Sequence, residues 1–202
     1  PEEAANLLNF MDRSLVTFSV NYSFLHIKQI SIYLNSLPTG GLQSLKWQFM
    51  AHHFANNLDS WKRLHQEGGG VLRFYGIHVL ALLVQAGYCD LLESNLIGRD
   101  KQQLERWEAV FAHPNGGSFK VLIDSYSKEE FFSLSGEGVA HTLKARDPFD
   151  FSLSQTWAAD RRFNSLVNYM LDRRNLLDRR DYYTKLNDLW RLVEGNSHFK
   201  LT

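Results

Sequence analysis

Glycine and proline are unevenly placed in this chain, and their placement limits its fold more than any other feature. Residues 2–37, 42–67 and 154–194 contain neither. Strands average about five or six residues and need turns between them, so uninterrupted stretches of this length predict helices. The expected fold class is all-α: a multi-helix bundle or short α-solenoid forming one domain over 1–202, with a minor β element near 118–124. The chain lacks an initiator methionine and reads as a piece of a longer protein.

The first stretch predicts one long helix. Val16 to Phe24 alternates as a half-buried strand would, yet Leu7, Met11, Leu15, Phe18, Tyr22 and Leu25 also keep helical spacing. With no turn residue before Pro38, the helix is preferred. A second helix over 42–67 has the stripe Trp47, Met50, Phe54, Leu58 and Trp61, and Gly68-Gly69-Gly70 ends it. A third, about 71–92, is apolar nearly all round, with Gly87 as a bend. A shorter helix over 100–112 has Leu104, Trp107, Val110 and Phe111 inside, and His113 to Gly117 make a turn. Phe119 to Ile123 suits a short strand or the start of a buried helix, and Ser127-Lys128-Glu129-Glu130 resembles a helix N-terminus. The last third predicts two helices, with faces Phe163, Leu166, Val167, Met170 and Tyr182, Leu186, Leu189, Trp190, Val193, and a break near 178–181.

With 44% apolar and 13% aromatic residues the chain can bury a large core. Its 22 basic and 22 acidic residues cancel, so any preference for nucleic acid or anionic lipid must come from local clustering. Cys89 is the single cysteine, which rules out a disulfide framework and cysteine-rich zinc modules and suits a reducing, intracellular compartment. The apolar stretch Phe74 to Cys89 falls short of the roughly 20 residues a membrane span needs. It reads as a buried core helix, and no membrane partner is expected.

Site chemistry is sparse. No two of the eight histidines stand four apart, so no metal is expected. A Gly-x-Ser-x-Gly elbow is missing, and Cys89 has no adjacent base. Gly68-Gly69-Gly70 lacks the Lys-Ser/Thr of a phosphate loop, and Gly136-Glu137-Gly138 leads to His141 where a third glycine would be needed. No cofactor is expected. Glu105 and Glu108, three apart, would share an exposed helical face beside Lys101 and Arg106.

Arg73-Phe74-Tyr75-Gly76-Ile77-His78 has the form Arg-x4-His. At these two positions it resembles the motif of the HEPN ribonucleases, which are helical bundles. That resemblance implies Arg73 on the scissile phosphate and His78 in proton transfer. Phe74 departs from the polar residue the family favours after its arginine.

The most unusual local pattern is a tripled Asp-Arg-Arg at 160–162, 172–174 and 178–180. The first and third copies are 18 residues apart, five turns of about 3.6 residues. Arg161, Arg162, Arg173, Arg174, Arg179 and Arg180 form a candidate binding face for an acidic protein partner or a nucleic-acid backbone. The interleaved aspartates equally suit a solvated surface. Taken together, the sequence predicts a non-catalytic helical scaffold that binds protein. The alternative is a nucleic-acid-acting protein, either a HEPN-like ribonuclease through Arg73 and His78 or a backbone binder through the arginine pairs.

Overall fold

A computed structural model describes residues 1–13, 20–38, 40–151, 167–168 and 179–202. It overturns the all-α expectation. Seven strands form one mixed sheet with helices packed on one side, an α/β fold. The strands are β1 (Leu42–Met50), β2 (Asp90–Gly98), β3 (Leu104–Ala112), β4 (Ser118–Asp124), β5 (Tyr126–Gly136), β6 (Leu143–Ala145) and β7 (His198–Leu201). Their order across the sheet is β6-β5-β1-β4-β3-β2-β7. β1 pairs parallel with β4 and β2 with β7, and the other neighbours are antiparallel.

Alternation explains how the strands bury one face. Leu45 and Trp47 on β1, Trp107 and Phe111 on β3, Phe119, Val121 and Ile123 on β4, and Phe132 and Leu134 on β5 all point into the core. Lys46, Glu108, Lys120 and Leu122 occupy the intervening positions of the opposite face. The 42–67 helix is therefore replaced by β1 and a run of short turns. The expected 100–112 helix is β3, the expected helix start at 127–130 lies inside β5, and 118–124 is a central strand, not a minor appendage.

The helices are α1 (Glu2–Arg13), α2 (Lys28–Ser36), α3 (His52–Ala55), α4 (Ile77–Gln85) and α5 (Arg179–Asn196). The long helix expected over 2–37 is two helices, with a 3-10 turn at Ser23–His26 ahead of α2. Residues 14–19 lie outside the described set. By length and composition, one helix among the described residues (His65–Gln85) could cross a membrane. It is instead the centre of the core. A π-helical turn, Val71–Gly76, runs into α4, where Val79 to Val84 are all buried. Leu186, Leu189 and Val193 of α5 complete the same cluster.

The three consecutive glycines do more than stop a helix. A side chain on Gly69 would strike the Trp61 carbonyl oxygen at 2.2 Å, so this residue lets the chain's own backbone pass closely beneath the π turn. Gly70 takes φ +71, a left-handed conformation that side chains rarely adopt.

Candidate active site

The π turn and α4 present Tyr75 and His78 on one helical face, one turn apart. Against them packs an aromatic cluster centred on Phe24. Its ring lies 5.2 Å from Trp47, 5.7 Å from Phe149 and 6.1 Å from His78. Tyr22 meets the His78 ring edge-on at 6.3 Å, and Tyr75 crosses Trp47 and Phe49 at 5.6 and 4.8 Å.

His78 is held in one orientation. Its Nδ1 accepts the Ser23 N–H at 3.2 Å, which places the hydrogen of the neutral ring on Nε2. Burial pushes its pKa down to about 4, so the ring is neutral near pH 7. Nε2 has no hydrogen-bond partner among the described residues, yet it is not sealed from solvent. Burial, with Tyr183 adding to it, raises the Tyr22 hydroxyl to about 12, and burial alone does the same for Tyr75. The cluster thus offers donors that stay protonated. Trp47 Nε1 is a further buried donor, and the group it faces is the Asp147 carboxyl. Nearby, burial raises the Asp147 carboxyl above its usual range, although the N–H of Phe149 opposes the shift.

Arg73 does not join this site. Its Nε and second amino group bind the two carboxylate oxygens of Glu194 on α5 at 2.6 and 2.8 Å, and Trp190 Nε1 donates to the same carboxylate at 2.8 Å. Burial would raise Glu194, but the Arg73 hydrogen bonds and charge outweigh it and hold the carboxyl below its ordinary value. The guanidinium is thus engaged with α5 and not with His78. The ribonuclease geometry is therefore absent. The pair instead ties α5 to the π turn. With the two side chains 23% and 15% exposed, Arg73→Ala is expected to cost about 2–3 kcal/mol, below the range for fully buried pairs. Denaturant unfolding would measure it, and a shift under 0.5 kcal/mol, the usual size for a surface change, would make the pair a surface ornament.

Other sequence candidates are dispersed. Glu105 and Glu108 do not pair, because on a strand they fall on opposite faces. Glu105 is buried near Arg99, and Glu108 bonds Arg106 on the far side. Gly136-Glu137-Gly138 ends β5, with Glu137 accepting the Leu42 N–H. Burial raises the half-buried Cys89 thiol, with Lys185 opposing. Among the described residues no three His, Cys, Asp or Glu side chains could jointly hold a metal. Arg161, Arg162, Arg173 and Arg174 lie outside the described residues. Arg179 and Arg180 open α5, but their side chains are not described.

No protein-family profile matches the chain, and no curated protein matches it by sequence. Solved structures do share its fold. KijD10, a 3-ketoreductase from Actinomadura kijaniata solved with NADP and TDP-benzene, superposes with a TM-score of 0.65 at 10% identity, covering 100% of this chain and 69% of that one. A putative oxidoreductase from Erwinia carotovora atroseptica gives a TM-score of 0.69 at 11% identity, over 98% of this chain and 69% of that one. The WlbA (WbpB) dehydrogenase from Thermus thermophilus, solved with NAD and UDP-GlcNAcA, gives 0.62 at 12% identity, over 100% and 62%. These chains are about half as long again as this one. The scaffold reading rested on an all-helical fold and falls with it, the ribonuclease reading falls with the Arg73–His78 pairing, and these neighbours support neither a scaffold nor a nucleic-acid-acting protein. The three named neighbours are a 3-ketoreductase, a putative oxidoreductase and a dehydrogenase.

Proposed function

We propose that this chain forms the substrate-side domain of an intracellular oxidoreductase acting at a carbonyl or hydroxyl carbon, with His78 as the hydrogen-bond donor to the substrate oxygen. The observation that carries this reading is a neutral imidazole, fixed through Nδ1 and open at Nε2, on a fold shared with a ketoreductase and a dehydrogenase. A donor aimed at an oxygen that gains negative charge favours the transition state over the bound ground state, commonly by about a hundredfold in rate. The apolar walls from Phe24, Trp47 and Phe149 keep that bond strong by excluding water. Tyr22 and Tyr75 can orient substrate hydroxyls.

The described residues do not fit the pyrophosphate of a dinucleotide. Such a cradle needs glycines that leave open space at a helix start. Here the space at Gly69 is filled by the backbone of Trp61 and Lys62, so this chain occupies the approach a pyrophosphate would need. No step is therefore assigned to a nucleotide held by this chain. The Asp-Arg-Arg segment remains a proposed contact for an acidic protein partner, resting on sequence alone.

The test is turnover by the full protein that carries this domain, given NAD(H) or NADP(H) and a panel of keto- and hydroxy-sugars. His78→Ala is expected to lower kcat about a hundredfold with little change in KM. An unchanged kcat would remove His78 from the site. No turnover of any panel member with either nucleotide would sink the oxidoreductase reading.

A further inference from the structure

At the far end of α4, about 10 Å along the helix from His78, lies a pocket of about 250 Å³ between α2, the start of β1 and the end of β3. Its polar lining includes Ser31, Gln43, Gln85, Tyr88 and His113, and Leu34 and Leu82 supply an apolar wall.

Two of these groups are nearly sealed in protein, yet their polar ends are unpaired. Gln43 is 3% exposed, and its Nε2 donates to the Pro38 carbonyl at 2.7 Å, leaving Oε1 without a partner among the described residues. Tyr88 is 2% exposed, and its hydroxyl makes no hydrogen bond among the described residues. Neither oxygen is cut off from solvent, and the open space both residues border is this pocket. Both oxygens keep free hydrogen-bonding capacity on one cavity, so a ligand's hydroxyls can take the place of the water that would otherwise meet them. The Tyr88 ring is fixed edge-on against His113 and Phe119 at 5.1 and 5.3 Å, which holds its hydroxyl in place. His113 in turn packs over Gly87, where an added side chain would meet its Nε2 at 2.6 Å.

The ligand's charge follows from the lining. Among the described residues no Lys, Arg, Asp or Glu borders the pocket, and His113 is the one lining side chain able to carry a positive charge. A carboxylate entering it would lose hydration with no permanently charged partner in return. The volume sits below the roughly 300–1,000 Å³ usual for drug-sized ligands, enough for one hydroxylated ring. We propose that this pocket binds an uncharged monosaccharide-sized polyol, at a site separate from His78. The Gln43 carbonyl accepts from one hydroxyl, the Tyr88 hydroxyl bonds another, and the leucines cover a C–H face of the ring. This proposal does not depend on the oxidoreductase reading.

Glucose, galactose, mannose and N-acetylglucosamine, with glucuronate as the charged control, would be titrated into the full protein by NMR or calorimetry. At least one neutral sugar is expected to bind saturably, with glucuronate at least about tenfold weaker. Tyr88→Phe keeps the ring packing and should melt as the parent does while weakening binding about three- to tenfold. Ser31→Trp, on the α2 wall, should abolish binding, and His78→Ala should leave it unchanged. The proposal fails if none of the four sugars binds, if glucuronate binds equally well, or if Ser31→Trp leaves affinity intact. Loss of binding in His78→Ala alone would place the sugar at the other site and also overturn it.

Discussion

Trp107→Ala is expected to lower the unfolding free energy by about 3–5 kcal/mol, the range for emptying a large aromatic from a closed core. Trp107 is fully buried on β3, within the sheet's interior. The π turn packs directly upon it, since a side chain at Gly76 would touch the indole at 3.0 Å. Its Nε1 donates to Ser94 Oγ at 3.0 Å, and Ser94 in turn shares a hydrogen with Ser197, whose hydroxyl reaches the Val193 carbonyl. Removing the indole leaves Ser94 still partnered by Ser197, so the loss is mostly cavity and little unpaired polarity. Urea unfolding should show a lower midpoint at an unchanged slope. A loss below about 1 kcal/mol would mean the site collapses around the gap, as soft cores can.

Acidification should produce the second large effect. The folded His78 pKa of about 4 lies below the ordinary 6.5, so the unfolded chain takes up a proton first as pH falls. Its contribution is complete above pH 6.5, erodes between 6.5 and 4, and is gone below, a change of roughly 3 kcal/mol. Burial lowers His53 and His65 as well, so they add in the same direction. Glu105 and Asp147, raised mainly by burial, act oppositely: their folded forms protonate first and recover stability as pH falls. The His78 share is isolated by comparison with His78→Asn, whose side-chain oxygen can still accept the Ser23 N–H. The difference in stability between the two proteins should shrink steadily from pH 6.5 to 4. A constant difference across that window would show that His78 titrates normally.

Much of the sheet was present in the sequence but masked by a second pattern. Leu45, Trp47 and Phe49 alternate with Ser44, Lys46 and Gln48, the period of a half-buried strand. Trp47, Met50, Phe54, Leu58 and Trp61 also keep helical spacing, and no glycine or proline intervenes to choose between them. The chain turns instead at Asn57, the single non-glycine at positive φ among the described residues (φ 47). The Asn56-Asn57 pair was the available signal, because asparagine tolerates that conformation. On β3 the inward position of Glu105 disguises the alternation, and its burial follows from the charge of Arg99, which no local pattern reveals. Of the site, His78 was singled out but given the wrong companion. Tyr22 and Phe24 come from a separate segment, and only packing shows them beside it.

By itself the sequence determined that an apolar core helix precedes Gly87, although not that it stops at Gln85 and gives way to β2, together with the inward face of Leu186, Leu189 and Val193 and the turn at His113 to Gly117. Each rests on residues within a few positions of one another. The tertiary structure alone decided that 42–50 and 104–112 are strands. A strand's stability resides in partners such as Val121 opposite Leu45, far away along the chain. It alone also decided the charge state of His78 and the unpaired oxygens of Gln43 and Tyr88. Burial and orientation set those properties, and both are made by the whole fold.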